Sequence, residues 1–314
     1  MLRCRAMHEL EKRISVVIPV YQAGQYVTAA VESAVQHTCV EEVLLIEDGS
    51  TDNSLEICRQ LAYQYPKVQL LTHGAGINKG AGPSRNLGIR AARCAWIAFL
   101  DADDRWLAER FDVTWKTLEA HPDADGVYEC LGIHYEDAAL AGQWRRQMGF
   151  ETTTLREAVA PEELIYAMAP LGKLGWFSGD ALLVKKTLLL ECGLYSSLPL
   201  NQDTELFMKL ALKGRLYPGN IQTPVAVRRV HARNRISGDS RALYANRLLL
   251  WKAFSTWCLS EGYRGRLIRK VWWQWLRVVI VHGKKTTGWT GKLKALLGSI
   301  PQLLQPRLLL RMFG

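Results

Sequence analysis

Ala95-Trp96-Ile97-Ala98-Phe99-Leu100 runs straight into Asp101-Ala102-Asp103-Asp104. Six residues without a charge or a breaker, bulky at Trp96, Ile97, Phe99 and Leu100, read as a strand buried on both faces. The three carboxylates then sit at its carboxyl end, which in an open α/β sheet is the edge where loops line a ligand crevice. Three acids within four residues repel one another unless a cation joins them, and hard oxygen donors suit Mg²⁺ or Mn²⁺. The competing reading is a helix-capping turn. Asp123-Ala124-Asp125 repeats the pattern after His121-Pro122, but no apolar run precedes it, so that copy reads as a turn.

Outward from this stretch, strand and helix signals alternate. Ile14 to Val20 is a β-branched strand with Pro19 near its end, and Gln25 to His37 carries apolar residues at helical spacing. Val43 to Ile46 is the second strand, followed by Glu47-Asp48-Gly49-Ser50-Thr51-Asp52, whose glycine permits a tight turn and whose Ser, Thr and Asp can cap a helix through Tyr65. Val68 to Thr72 is a third strand, and Pro83 fits the first turn of a helix before the fourth at Ala95 to Leu100. Four such rounds predict a doubly wound, mostly parallel sheet. Beyond it we expect a helix through Phe111, Trp115 and Leu118, a strand over Gly126 to Tyr135, a loop with a short helix over Ala141 to Ala160, a strand at Ala181 to Val184, a helix over Asn201 to Lys213 and a strand at Val225 to Val230.

Asp48 and the acids at Asp101 to Asp103 follow parallel strands, so the fold brings them to one rim. Asp48 could accept from an imide N–H of a base, and the second group could hold ribose hydroxyls and a metal. Capping alone accounts for Ser50, Thr51 and Asp52, but not for Glu47 and Asp48. The glycine-rich Gly74 to Gly82 stretch matches neither the dinucleotide fingerprint, because Lys79 stands where a glycine is required, nor a P-loop. It remains either a solvated loop or one whose Lys79 and Arg85 lean towards phosphates. Asp203 falls at a helix start, where the partial positive charge favours the carboxylate by about 0.3–1 kcal/mol, so it can accept a proton or simply stabilise its helix. His231 lies among Arg228, Arg229, Arg233 and Arg235, which disfavour its protonation and leave a nitrogen for a metal; a surface loop contacting phosphate is the alternative.

The chain has 314 residues and a net charge of +10, distributed unevenly. From Arg241 onward stand 14 Lys and Arg against the single acid Glu261, while the first 240 residues carry 26 basic and 29 acidic side chains. We therefore expect a domain over 1–240 and a basic extension over 241–314. Seven scattered cysteines without a C-x-x-C pair suggest a reducing compartment, Met1 to Arg13 shows no secretory pattern, and no apolar run is long enough to span a bilayer. The expected location is the cytoplasm, at the cytoplasmic face of the inner membrane. Six of the eleven tryptophans lie beyond position 240, and Val271 to Val281 and Leu293 to Leu310 are apolar and basic. These favour a helical extension in peripheral contact with a membrane over packing on the domain or a dimer seam. Nucleic acid is not expected, because the aliphatic runs exceed what phosphate contact requires and no helix-turn-helix or finger signature occurs.

With these residues in place, the chain resembles the family 2 glycosyltransferases of bacterial type, which share the GT-A fold. The resemblance rests on Val16 to Tyr21, Glu47 to Asp52, Asn78 to Gly88, Phe99 to Asp104, Gln202-Asp203 and Arg229 to Ser237, in that order. It implies a nucleotide-diphospho-sugar transferase-like fold and a nucleoside-diphosphate sugar donor, with a UDP sugar expected. Pro19, Val20 and Tyr21 would approach the nucleoside, with Glu47 and Asp48 at the base. Lys79, Arg85 and Asn86 would line the donor, and Asp101 and Ala102 the ribose. Asp103 and His231 would bind Mn²⁺ or Mg²⁺, and Asp203 would be the catalytic base. Glu47 replaces the usual Asp, and Gln202 the usual Glu before the base. The implied reaction is inverting, metal-dependent transfer to a saccharide or lipid-linked acceptor in cell-surface polysaccharide or glycolipid synthesis; a nucleotidyltransferase and a non-catalytic sugar-nucleotide or membrane-binding scaffold are the alternatives.

Overall fold

The computed structural model describes residues 12–231 and 240–280. Arg233, Arg235 and Ser237 of the basic stretch, the start of the chain before Lys12, and everything from Val281 onward lie outside the described residues. The chain divides into two compact units, Met1–Ser196 with Leu206–Asn234, and Ser197–Glu205 with Arg235–Gly314.

The first unit opens with the expected alternation: β1 (Ile14–Val20), α1 (Val27–Val35), β2 (Val40–Glu47), α2 (Ser54–Gln64), β3 (Val68–Thr72), α3 (Ala81–Ala91) and β4 (Trp96–Phe99). These strands pair in parallel in the order β3-β2-β1-β4. Ile97, Ala98, Phe99 and Leu100 are all buried, as a strand covered on both faces requires. Pro19 fits because β4 pairs with β1 only as far as Val17 opposite Phe99, so nothing on that side asks for its missing donor. Gly88 lets α3 press on the sheet, since a Cβ there would meet Val17 Cγ1 at 2.5 Å and Ile46 Cδ1 at 2.8 Å.

After β4 come β5 (Arg105–Trp106), α4 (Asp112–Ala120), β6 (Gly126–Tyr128), β7 (Cys130–Tyr135), α5 (Ala138–Met148) and the single turn α6 (Leu164–Ala167). Next are β8 (Leu182–Lys185), α7 (Lys186–Glu191), α8 (Gln202–Lys213), β9 (Leu216–Pro218) and β10 (Pro224–Val230). β8 runs antiparallel to both β4 and β6, extending the sheet to seven strands that end on β9. β5, β10 and β7 form a second, three-stranded sheet. One expectation is corrected by the strand pairing. The single strand over Gly126 to Tyr135 is two strands in different sheets, broken at Glu129, whose carboxylate turns inward to an arginine. The short helix expected within Ala141 to Ala160 is the 11-residue α5, which starts three residues earlier, is capped by Asp137 accepting from Leu140 N–H and is closed by Gly149 in the left-handed conformation.

In the second unit, α9 (Ser240–Ser260) is followed by α10 over 266–280. No helix among the described residues is long and apolar enough to cross a membrane. The division between the units falls within α8, after Glu205.

Candidate active site

Glu47 and Asp48 end β2, and both are buried. Glu47 closes the turn that follows, accepting from Gly49 N–H at 3.2 Å and Ser50 N–H at 2.6 Å. Asp48 accepts from Lys79 N–H and Gly80 N–H, each at 2.7 Å, with His73 Nε2 at 3.7 Å. The glycine-rich stretch is thereby fastened to the end of β2, and Gly49 permits the approach: its φ is +73° and a Cβ would stand 2.5 Å from Gly76 O. A carboxylate has about four lone-pair sites, so both Asp48 oxygens can accept again. Of the expected caps, Asp52 does satisfy the first N–H of α2, accepting from Ser54 N–H at 3.0 Å, although the residue directly before the helix is Asn53, whose side chain makes no cap bond; Ser50 does not cap. Instead Ser50 Oγ accepts from Gln22 N–H, and Asp52 also holds Gly24 N–H. Pro19 and buried Val20 end β1 beside this turn, where Asp48 N–H donates to Val20 O, and Tyr21 beyond them is exposed.

The acids after β4 separate into distinct roles. Asp101 accepts from Arg85 at 2.5 Å, and Arg85, itself buried, lies over the Tyr195 ring. Asn86 engages the same residue, donating to Tyr195 O and accepting from Tyr195 N–H, so its amide holds the backbone of the tyrosine over which Arg85 lies. Lys79 is exposed, and Ala102 is buried. Asp103 Oδ2 lies 3.0 Å from His231 Nε2, a meeting of residues 128 apart in the chain. His231 stacks on Tyr26 with ring centroids 4.7 Å apart. Asp104 turns inward, accepting from Arg229 N–H at 2.8 Å with Arg228 Nε at 4.0 Å.

Asp180, at the entry to β8, is the residue that sequence reasoning missed. Its Oδ1 accepts from Asp101 N–H at 2.8 Å and its Oδ2 from Ser178 Oγ at 3.2 Å. Trp106 Nε1 and Arg110 Nε donate to its carbonyl. Arg110 is completely buried, pairs with equally buried Glu129 at 2.7 Å, and lies over the rings of Trp106 and Phe111. Glu129 also accepts from Thr114 Oγ1 and Asn220 N–H. Asp101, Asp104 and Asp180 each offer an oxygen, all within 4.8 Å of one another.

Burial and the neighbouring Asp101 charge push the Asp180 carboxyl up to about 6. Burial, then Asp180 and Asp103, hold Asp104 well above the usual carboxylate range. Asp103 is also raised, by burial first and Asp101 second, against the pull of His231. Burial works against the Arg228 guanidinium, but the surrounding carboxylates outweigh it and its pKa rises. Such a set of crowded oxygen donors fits a hard divalent cation, which would relieve their repulsion. Asp203 is exposed in the first turn of α8 and belongs to the second unit.

Parallel strands that deliver acids to one rim, completed by antiparallel β8 and a small second sheet, define the GT-A class of nucleotide-diphospho-sugar transferase folds. S. aureus TarS 1-349 matches with a TM-score of 0.61 at 16% identity, covering 96% of this chain and 83% of that one. The same protein in complex with UDP-GlcNAc matches at 0.58 and 17% identity, covering 87% and 81%. In the sequence, residues 15–164 match the model of glycosyl transferase family 2. The uncharacterized glycosyltransferase YibD of Escherichia coli K12 is 41% identical over 119 residues, which are 38% of this chain and 33% of that protein. The chain thus spans about a third of the length of that curated relative.

Proposed function

We propose that this chain is an inverting glycosyltransferase that moves a sugar from a nucleoside-diphosphate sugar, with a UDP sugar as the expected donor, to a hydroxyl of a saccharide or lipid-linked acceptor. The role is one in cell-surface polysaccharide or glycolipid synthesis. The observation that carries it is the convergence of Asp101, Asp103, Asp104 and Asp180 with Arg85 and His231 after β4, in a chain whose residues 15–164 match family 2. The UDP-GlcNAc complex of TarS supports the donor class. A domain over 1–240 carries the transfer, and 241–314 supplies a peripheral membrane contact at the cytoplasmic face of the inner membrane.

Asp48, while bonded to Lys79 N–H and Gly80 N–H, accepts in addition from the base. Arg85 fixes one Asp101 oxygen and leaves the carboxylate aimed at ribose hydroxyls. Asp103 and His231 would hold Mn²⁺ or Mg²⁺, which when bound neutralises charge on the departing diphosphate. Asp203 takes the acceptor proton as that oxygen attacks the anomeric carbon, and a single displacement inverts the centre.

Hydrolysis of a panel of sugar nucleotides, with Mn²⁺ and then with chelator, tests the reading. A nucleoside diphosphate should appear only with metal; pyrophosphate would identify a nucleotidyltransferase, and no turnover on any donor would favour a scaffold. Asp203→Asn should keep donor affinity and lower turnover by about 10²–10⁴-fold. Undiminished turnover would remove Asp203 from the mechanism.

A further inference from the structure

α10 divides its side chains by chemistry. Leu267, Ile268, Val271 and Val279 are buried along one side. At about 100° per residue, the opposite side carries Arg266, Arg269, Trp273 and Arg277, all exposed, with Lys270, Leu276 and Ile280 half-buried among them. Trp273, at 58% exposure, begins an apolar strip that continues through Leu276 and Ile280, and the cations flank it. Not one acid lies on this helix, and Glu261 is the single acid between Arg241 and the last residue.

We infer that this face of α10 docks on a bilayer surface containing anionic phospholipids. The inference deepens the peripheral contact proposed above, rests on it, and is independent of the donor chemistry. Arg and Lys stems lie along apolar surface while their heads reach the lipid phosphates, and an indole between them suits the headgroup boundary. The apolar strip separates this occupant from nucleic acid: duplex phosphates would engage the cations but leave Trp273, Leu276 and Ile280 in water, whereas the acyl boundary buries them. The helix therefore lies on the surface, in keeping with the lack of a membrane-crossing helix among the described residues.

Co-sedimentation of the full chain with vesicles tests this. Phosphatidylcholine vesicles containing about a third phosphatidylglycerol should carry the protein down at low salt, and pure phosphatidylcholine should not. Each cation near such a surface strengthens partitioning by about fivefold, so the triple variant Arg266→Gln, Arg269→Gln, Arg277→Gln should weaken it by about 100-fold. Trp273→Ser should weaken it several-fold, and Lys252→Gln on α9 should leave it unchanged. Circular dichroism confirms that each variant is folded; the changed side chains are exposed, so the helix should persist. Protein left in the supernatant with anionic vesicles, equal binding to neutral ones, or a folded triple variant that sediments like the wild type would each overturn the inference. So would binding to duplex DNA in preference to the vesicles. Donor hydrolysis on the same samples reports separately on the transfer reading, because vesicle binding without hydrolysis would sink that reading alone.

Discussion

In the region from β1 to β4, two parallel strands, β2 and β4, reach the rim by the same step, a buried run with an acid at its carboxyl end, which places Asp48 and Asp101. From β6 to β10 the chain reaches the same acids with single residues drawn from far along the sequence. Asp180 holds Asp101 N–H across 79 residues, Asn86 holds Tyr195 across 109, and His231 meets Asp103 across 128. The first half supplies Asp48 and the acids after β4; the second supplies residues that hold those acids in place. Substitutions in the two halves should therefore fail differently, stability suffering most in the second.

The largest loss is expected for Arg110→Met. It leaves the Glu129 carboxylate buried without its guanidinium, and breaking such a pair costs about 3–5 kcal/mol, read as a lower urea midpoint. If Arg110→Met unfolds like the wild type, the second half is not held by this pair.

Asp180→Asn comes next, and its sign depends on pH. The native Asp180 carboxyl titrates near 6 instead of 3.8, so the folded state binds the proton more tightly and metal-free protein loses stability as pH rises from about 4 to about 7. Burial sets this first and the Asp101 charge second, while Arg228 and Arg85 pull the other way. The asparagine variant should flatten the decline, gaining on the order of 1–3 kcal/mol at neutral pH in chelator. A decline identical to that of the wild type in thermal melts at pH 5 and 7 would remove Asp180 as its source.

Gly49→Ala probes the first half. A φ of +73° and the 2.5 Å approach to Gly76 O predict a cost of about 1–2 kcal/mol, together with weaker nucleotide binding as the Asp48 clasp on residues 79 and 80 is displaced. The smallest effect is expected at the exposed Arg145 and Glu151 pair, where Arg145→Ala should change stability by less than about 1 kcal/mol.

What is legible in the sequence follows the same division. β4 and its acids can be read because hydrophobic run and carboxylates are contiguous, and the family motifs are equally local. Asp180 cannot, because the stretch from Gly175 to Gly179 reads only as a turn; the one signal is a lone acid opening the apolar run Ala181 to Val184. Glu129 leaves a similar trace, a charge inside an apolar strand, easily passed over because its partner Arg110 stands in an unremarkable loop 19 residues earlier. Asn86 is expected from its motif to face the donor, yet its amide is engaged with the Tyr195 backbone, a contact that no local pattern announces.

The central claim, that the acids after β4 gather a divalent cation for a nucleoside diphosphate, is tested most directly by calorimetric titration of UDP with Mn²⁺ and with chelator, on the wild type and on Asp103→Asn. Binding by the wild type should depend on Mn²⁺ and be lost or greatly weakened in the variant. UDP binding of equal strength in chelator, or unaltered in Asp103→Asn, would contradict the claim.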